Sequence, residues 1–528
     1  MTPTLPHITT LARSGALDRA WALFGEGGYH TATDDPAALA VKGRLLKDRA
    51  MLAAGAERAA LLAQAITAYS GADAISAQPY LLINVATLTF LCGDQRRAAE
   101  IAAVVLERLD QPDISETPYW IAATRAEALL LRGDLSGADN ALGDAIAHDP
   151  DGWSDHASTL RQLRLILEAG GLGTDWLDRH RPPRSLHFAG HLGVAETASD
   201  ELRAQIDAIL ESERIGFGYG ALAAGADIVI AESLIARGAE LHITLPTTQI
   251  AFIAQSIAPY ESGWRARFDA CLSVAASVRF ATSVDGDYEP LATSLAADLA
   301  MGAAVLNAKM LESEAVQLLI VDEGPGPYGA GASTARDGGA WAVAGRRQHV
   351  MLSPRSAAVV ASGDRENQEG RADRRLAALL HISFYGLDDL DDAAFACAVD
   401  DFVAPFRVHC AAIAVQPVIV LPCGNARIVA FESVRDAWIY AHAASGTAEG
   451  SPVRIAGHYG LAYWLDDPPA LMGPLLAMLT DISASSLPGT VTVSEAFASA
   501  LVGQSNGNIR VELMGEVGAE RLFALRAV

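Results

Sequence analysis

Positive charge is in short supply in this sequence. Lys and Arg number 39 against 63 Asp and Glu, a formal net charge of −24 at pH 7. A binder of polymeric DNA or RNA needs a basic footprint to displace counterions, so nucleic acid is excluded as an expected partner. A small anion is not, because a local nest of backbone N–H groups holds one even inside an acidic protein. Cysteine is scarce as well. The five present (Cys92, Cys271, Cys397, Cys410 and Cys423) are scattered, odd in number and free of CxxC or His-rich spacing. We therefore expect a reduced, cytoplasmic protein with no structural zinc. No apolar run reaches the roughly 18–20 residues that span a bilayer, and no membrane association is expected. The opening "MTPTLPHITTLARSGALDRAW" lacks a basic region followed by an apolar core, so no signal peptide is expected.

Core material is plentiful. The 528 residues, 51% of them apolar, suffice for about three domains of roughly 150 residues each. Residues 1–178 are rich in Ala, Leu and Arg with helical periodicity. "LLINVATLTFLCGDQRRAAEIAAVVLERL" and "YWIAATRAEALLLRGDLSGADNALGDAIAHDP" share one pattern: an apolar helix, a Gly-Asp turn (Gly93-Asp94, Gly133-Asp134) and a second helix. Gly ends the first helix at low strain and Asp opens the next. A weaker copy surrounds Gly55, so the spacing is about 38 to 40 residues against roughly 34 for an ideal repeat. This segment resembles tetratricopeptide-type helical repeats, which usually present a surface for a protein partner. A plain helical bundle is the alternative.

Residues 182–352 alternate strands and helices, which implies an α/β fold with a parallel sheet. "SLHFAGH" reads as a strand, Glu201 to Ser212 as an amphipathic helix, and "AVQLLIVDEG" as a buried strand. In "IGFGYGALAAGADIVIAESLIARGAELHITLP" a glycine cluster leads into a helix. Glycines at such a turn let backbone N–H groups approach a phosphate. Tight packing of helix on strand explains them equally well. Asp227, near the helix start, competes with a bound anion, and Glu232 is either a pocket carboxylate or a solvated one. This segment resembles the Rossmann-like SLOG domains, which are thought to sense or process nucleotide-derived ligands. The resemblance implies a site at Gly218, Gly220, Gly225 and Thr334. Relatives carry a Gly-Gly-Thr turn where this chain has Ala332-Ser333-Thr334. The Gly-rich stretch Asp322 to Gly339 falls on the crevice side and reads as a lid or as a loose connector.

Residues 353–372 read as a polar linker. Residues 373–528 then run strand, helix, hairpin, helix, strands, the β-α-β-β-α-β order of a ferredoxin-like α+β core. Within it, "VRIAGHYGLAYWL" is read as two strands. The phrases "AALLHISFYGL", "GNARIVAFESVRDA", "VRIAGHYGLAYW" and "PGTVTVSEAFASAL" together resemble a class III nucleotidyl cyclase domain. Bacterial cyclases of this type often carry helical repeats and a SLOG-like domain upstream, so the whole chain resembles that architecture. Such a cyclase needs two carboxylates to hold two divalent cations, and an Asn-Arg pair to orient the ribose and the departing charge. By resemblance the carboxylates belong at Ser383 and Asn425, the Asn-Arg pair near Ala477 and Met478, and a purine-selecting residue near Leu421. None has the required chemistry, and the Mg or Mn site is expected to be lost.

The resulting expectation is a cytoplasmic sensor or signalling protein with no catalytic residues. Its SLOG-like part would take a nucleotide-like small molecule, its cyclase-like part would form a homodimer through a surface including Tyr463 and Trp464, and its repeats would bind a protein. Three alternatives stay open. Another subunit supplies the missing carboxylates and completes an active cyclase. The acidic run Asp388, Asp389, Asp391, Asp392 holds a relocated metal, although acids also suit a first helical turn. The SLOG-like part hydrolyses a nucleotide, although no Ser-His-Asp or Cys-His arrangement is legible. His458 and Asp481 read as structural.

Overall fold

The computed structural model describes residues 3–13, 17–112, 114–194, 199–260, 263–282, 290–322, 332–355, 373–387, 390–445, 453–467, 469–505, 509–518 and 520–527. The chain divides into two compact units, Met1–Pro182 with Met310–Glu312, and Pro183–Lys309 with Ser313–Val528.

The first unit is helical: α1 (Leu5–Arg13), α2 (Leu17–Glu26), α3 (Pro36–Leu52), α4 (Gly55–Ser76), α5 (Pro79–Leu91), α6 (Gln95–Leu109), α7 (Pro118–Leu131), α8 (Leu135–His148) and α9 (Trp153–Ala169). Proline opens α3, α5 and α7, where its fixed φ suits a first turn and its missing N–H costs nothing. The Gly-Asp turns behave identically. Gly93 and Gly133 have φ of 91° and 80°. Their N–H groups bond Phe90 O and Leu130 O at 2.9 Å, while those of Asp94 and Asp134 reach back to Thr89 O and Leu129 O. The same aspartates then cap the next helix, accepting from Arg97 N at 3.0 Å and Gly137 N at 2.8 Å. One dipeptide thus closes a helix and opens another. Small residues such as Ala102, Ala126 and Ala138 line the core between these helices.

The second unit begins with β1 (Arg184–Gly190), α10 (Ser199–Ser212), β2 (Ile215–Gly220), α11 (Ala226–Ala236), β3 (Glu240–Leu245), α12 (Gln249–Ser256), α13 (Gly263–Val274), β4 (Ser277–Phe280), α14 (Pro290–Met310), β5 (Ala315–Val321), α15 (Ala332–Val343) and β6 (Gln348–Leu352). All six strands are parallel, in the order β4-β3-β2-β1-β5-β6. The order reverses between β1 and β5, and a crevice is expected beyond the carboxyl ends of those two strands. One face buries Leu186, Phe188, Ile243 and Ile320 under apolar residues of the helices, among them Ile206, Leu234, Phe252 and Phe268. On the other, Trp341 of α15 stacks on His187 of β1 with ring centroids 6.0 Å apart. Ala332 to Gly339, expected to be loop, is the first part of α15; residues 323–331 of that expected lid lie outside the described residues. Ser353 and Arg355, read as the start of a linker, are packed into this region: Arg355 pairs with Asp322 at 3.0 Å.

The chain continues as β7 (Arg374–Phe384), α16 (Asp392–Ala398), α17 (Ala404–Ala412), β8 (Ile419–Cys423), β9 (Ala426–Phe431), α18 (Val434–Ser445), β10 (Val453–Asp466), β11 (Pro469–Met472), α19 (Leu475–Ser485), β12 (Val491–Ser494), α20 (Glu495–Gln504), β13 (Ile509–Val517) and β14 (Glu520–Ala527). Their mixed sheet runs β13-β14-β12-β10-β7-β9-β8, with β11 paired to β10. The two strands expected in "VRIAGHYGLAYWL" are one, the 14-residue β10. Gly457 makes no turn there; it makes room, because a methyl group would lie 2.8 Å from Val493 Cγ1.

Among the described residues α14 alone is long and apolar enough to cross a membrane, and most of it is buried inside the protein. It lies against α20 so closely that a methyl group on Gly302 would sit 1.9 Å from Ser499 O.

Candidate functional site

Two helix starts flank the β1/β5 reversal, those of α11 and α15. At α11, Gly225 adopts φ 122° and ψ −126°, which a side chain would strain. A methyl group there would also meet Gly193 N at 2.6 Å and His191 O at 2.9 Å. The segment after β1 folds over this helix start: Ala226 N–H bonds His191 O and Gly193 N–H bonds Ala224 O. Asp227 is buried in the first turn of α11. Its buried carboxylate accepts from Gly190 N at 3.0 Å and Ala223 N at 3.2 Å. Burial pushes its pKa up to about 7, against the pull of those two N–H donors.

The expected site residues therefore separate. Gly225 stands at the start of α11, where it admits the covering segment. Thr334 is buried in the first turn of α15. Gly218 and Gly220 lie in β2, where methyl groups would meet Leu234 Cδ1 at 2.3 Å and Phe188 Cε2 at 2.6 Å; both positions have a packing reason to be glycine. Glu232 is bonded by two guanidinium groups, Arg203 at 2.6 Å and Arg267 at 2.7 Å, on the outer helices. Residues not singled out from the sequence also meet at the reversal. His191 Nε2 bonds Ser353 O at 2.8 Å, and burial lowers the ring's pKa. Beside it, Asp322 and Arg355 form their mostly buried ion pair. Their partners lie 33 and 162 positions apart in sequence, so no local pattern announces them.

In the mixed sheet, Ser383 lies directly across from Arg454 of β10, and Ile382 across from Arg427 of β9. Opposed residues share a face of the sheet, so Ser383 and Arg454 lie on the same face. Arg454 lies 4.2 Å over the ring of Tyr385. Asn425 is exposed in the β8–β9 turn, which the register brings to the same end of the sheet as Ser383. Ala477 and Met478 stand apart from that pair. They lie near the start of α19, whose far end is tied to the sheet by Ser483 Oγ and His381 Nδ1 at 2.7 Å. Leu421 is half-buried on β8, opposite Ile428. Asp391 caps α16 by accepting from Ala394 N; Asp388 and Asp389 lie outside the described residues. His458 is bonded to Ser494 Oγ at 2.8 Å, and burial lowers its pKa to about 4. Asp481 is exposed on α19. Trp464 is a correction: it is buried in the core against Leu475 and Leu479, and offers no exposed surface to a twin.

The helical unit carries a polar row through α3, α5, α7 and α9. Lys47 Nζ donates to Asn84 Oδ1 at 3.3 Å and Gln162 Oε1 at 3.2 Å. Glu127 Oε1 accepts from Thr87 Oγ1 at 2.5 Å and Gln162 Nε2 at 2.8 Å. Burial lowers the Lys47 pKa and raises that of Glu127.

Residues 7–89 match the family model described as Tetratricopeptide Repeats-Sensor. Among solved structures the chain is weakly similar to nucleotidyl cyclases. The adenylyl cyclase CyaB from P. aeruginosa is 11% identical, over 29% of this chain and 95% of that one, with a TM-score of 0.24. The guanylate cyclase domain of RhGC from Catenaria anguillulae is 12% identical, over 30% and 99%, with a TM-score of 0.24. An adenylate cyclase from Trypanosoma brucei is 15% identical, over 30% and 94%, again at 0.24. No curated protein matches the sequence.

Proposed function

We propose that this chain is a signalling protein whose cyclase-like domain does not cyclise nucleotides. The observation that carries the reading is the pairing of Ser383 with Arg454. Where the resemblance requires a carboxylate to hold a dication, the chain has the hydroxyl of Ser383, with Arg454 opposite it in the strand register, and the second position is Asn425. Asn offers one neutral carbonyl oxygen and Ser one hydroxyl; neither neutralises Mg²⁺ or Mn²⁺. Losing one group that stabilises developing charge costs on the order of 10²–10³ in rate, so loss of both carboxylates leaves no useful turnover.

In this reading the ferredoxin-like domain dimerises and relays. The parallel-sheet domain, read as Rossmann-like and similar to SLOG domains, takes a nucleotide-like small molecule at the β1/β5 crevice. Because Asp227 occupies the start of α11, the anionic part of that ligand lies toward α15 and Thr334. The helical repeats take a protein partner. Exposed Val418 and Val420 by β8, together with Met472 of β11, replace Trp464 as the apolar surface for a twin.

The test is direct. Pure full-length protein is incubated with ATP or GTP and Mn²⁺, and the products are separated. Cyclic nucleotide is expected to stay at the level of a heat-killed control. Robust turnover by the chain would sink the proposal.

A further inference from the structure

Helix α20 of the mixed sheet is held at both ends by arginines from the parallel-sheet region. At its start the buried carboxylate of Glu495 pairs with Arg279 of β4, and within its own sheet with Arg521 of β14. At its end Arg346, three residues beyond α15, donates to Val502 O and Gly503 O at 2.7 Å and to Ser505 O at 2.8 Å. Those are carbonyls that a helix end leaves without partners, and the positive charge suits the negative end of the helix dipole. Arg346 also lies 5.3 Å over the ring of Trp341 in α15. Midway along, Gly302 of α14 meets the backbone of Ser499.

A second link runs to β10. Asp298 of α14 is buried and takes Arg336 of α15 at 2.5 Å through Oδ1, while its Oδ2 accepts from Tyr459 O–H of β10 at 3.4 Å. Helix α15 follows β5, so its first turn, with Thr334 buried in it and Arg336 two residues on, lies toward the carboxyl end of that strand. Its far end leads straight into the Arg346 clamp. A helix of 12 residues packed on a sheet moves as a body, because close-packed interiors transmit displacement rather than absorb it.

We propose that α15 couples occupancy of the β1/β5 crevice to α20 and β10, so that the mixed sheet reads out what the parallel sheet binds. This rests on the ligand-site reading above. A ligand shifts such an equilibrium only if its contacts differ between the two positions of α15, and the first turn of that helix is where they differ.

The experiment is hydrogen exchange on full-length wild type, Arg346→Gln, Arg336→Gln and the double variant. Arg346→Gln removes a guanidinium bonded to three carbonyls, and amides of α20 should exchange about tenfold faster or more. The decisive variant is Arg336→Gln, whose side chain bonds Ser294 O, Asp298 and Asp337, all outside α20. It should still speed exchange in α20 by about threefold or more, with α5 and α11 unchanged. Wild-type exchange in α20 of Arg336→Gln overturns the proposal, and so does equal acceleration in α5, α11 and α20, which is general loosening. Millimolar ADP serves as probe in a parallel arm. A thermal shift without any change in α20 exchange keeps the site and overturns the coupling. No thermal shift counts against the site, and the Arg336→Gln comparison, which uses no ligand, still decides the coupling.

Discussion

The close approach of α14 and α20 makes one glycine a sharp probe. A methyl group at Gly302 would lie 1.9 Å from Ser499 O, 2.2 Å from its carbonyl carbon and 2.7 Å from its Cα. All three are backbone atoms of a helix, so no side chain can swing away. Contact at about 3.0 Å or more requires the helices to part by about 1 Å, and packing lost along the interface is not regained elsewhere. Overpacking of this kind costs about 1–3 kcal/mol, and a rigid obstacle puts Gly302→Ala near the upper end. At about 2–4 °C per kcal/mol for a region of this size, the transition in which the two sheets unfold should fall by about 6–12 °C. Gly339→Ala is the matched control. It is the same substitution inside a helix, at an exposed position in α15 with nothing within 4 Å of the added methyl. Alanine is favoured over glycine there by about 0.5–1 kcal/mol, so its melting point should rise by about 1–4 °C. Differential scanning calorimetry on both variants decides the matter. A Gly302→Ala protein melting with wild type, or below it by no more than Gly339→Ala differs in the other direction, would refute the reasoning.

Two further outcomes follow from named groups. Asp337 is buried, and burial, opposed by Arg336, raises its pKa to about 7 from 3.8. A carboxyl whose folded pKa is raised stabilises the fold below its unfolded pKa, and that share is lost as pH rises from about 4 through 7. Asp337→Asn should therefore lose stability relative to wild type at pH 5 more than at pH 8; equal differences at the two pH values would be the contrary result. In the helical unit, Asp134→Ala removes the cap on α8 and should cost about 1 kcal/mol in urea denaturation, with a change under a few tenths counting against the turn as described.

The local rules of the sequence carried well where structure is local. The Gly-Asp turns and the hairpin at Gly424-Asn425 are written in short patterns, and they fold as such. Patterns misled where a residue serves a distant neighbour. "VRIAGHYGLAYWL" reads as two strands but is one, and its Gly457 is small because Val493 crowds it. Gly338 and Gly339 suggested a loop but sit in a helix, since Trp341 on the same helix is buried against His187 and anchors it. Gly218 and Gly220 read as a phosphate turn or as close packing, and they stand in β2 against Leu234 and Phe188. The region around the β1/β5 reversal is the least legible part. Asp227 was recognised as a rival to an anion, but the pairing of Asp322 with Arg355 and of His191 with Ser353 O joins segments that only the sheet order brings together.

The polar row in the helical unit has a consequence for how that unit can evolve. Arrays of helical repeats usually gain and lose copies freely, because each repeat touches only its neighbours. Here Lys47 of α3 reaches Gln162 of α9, 115 positions away, and Glu127 stands between them in the same network. Deleting one helix pair would strand a buried ammonium or a buried carboxylate, and inserting one would pull the two ends of the row apart. Between α3 and α9 the number of helices is therefore constrained by the reach of these side chains.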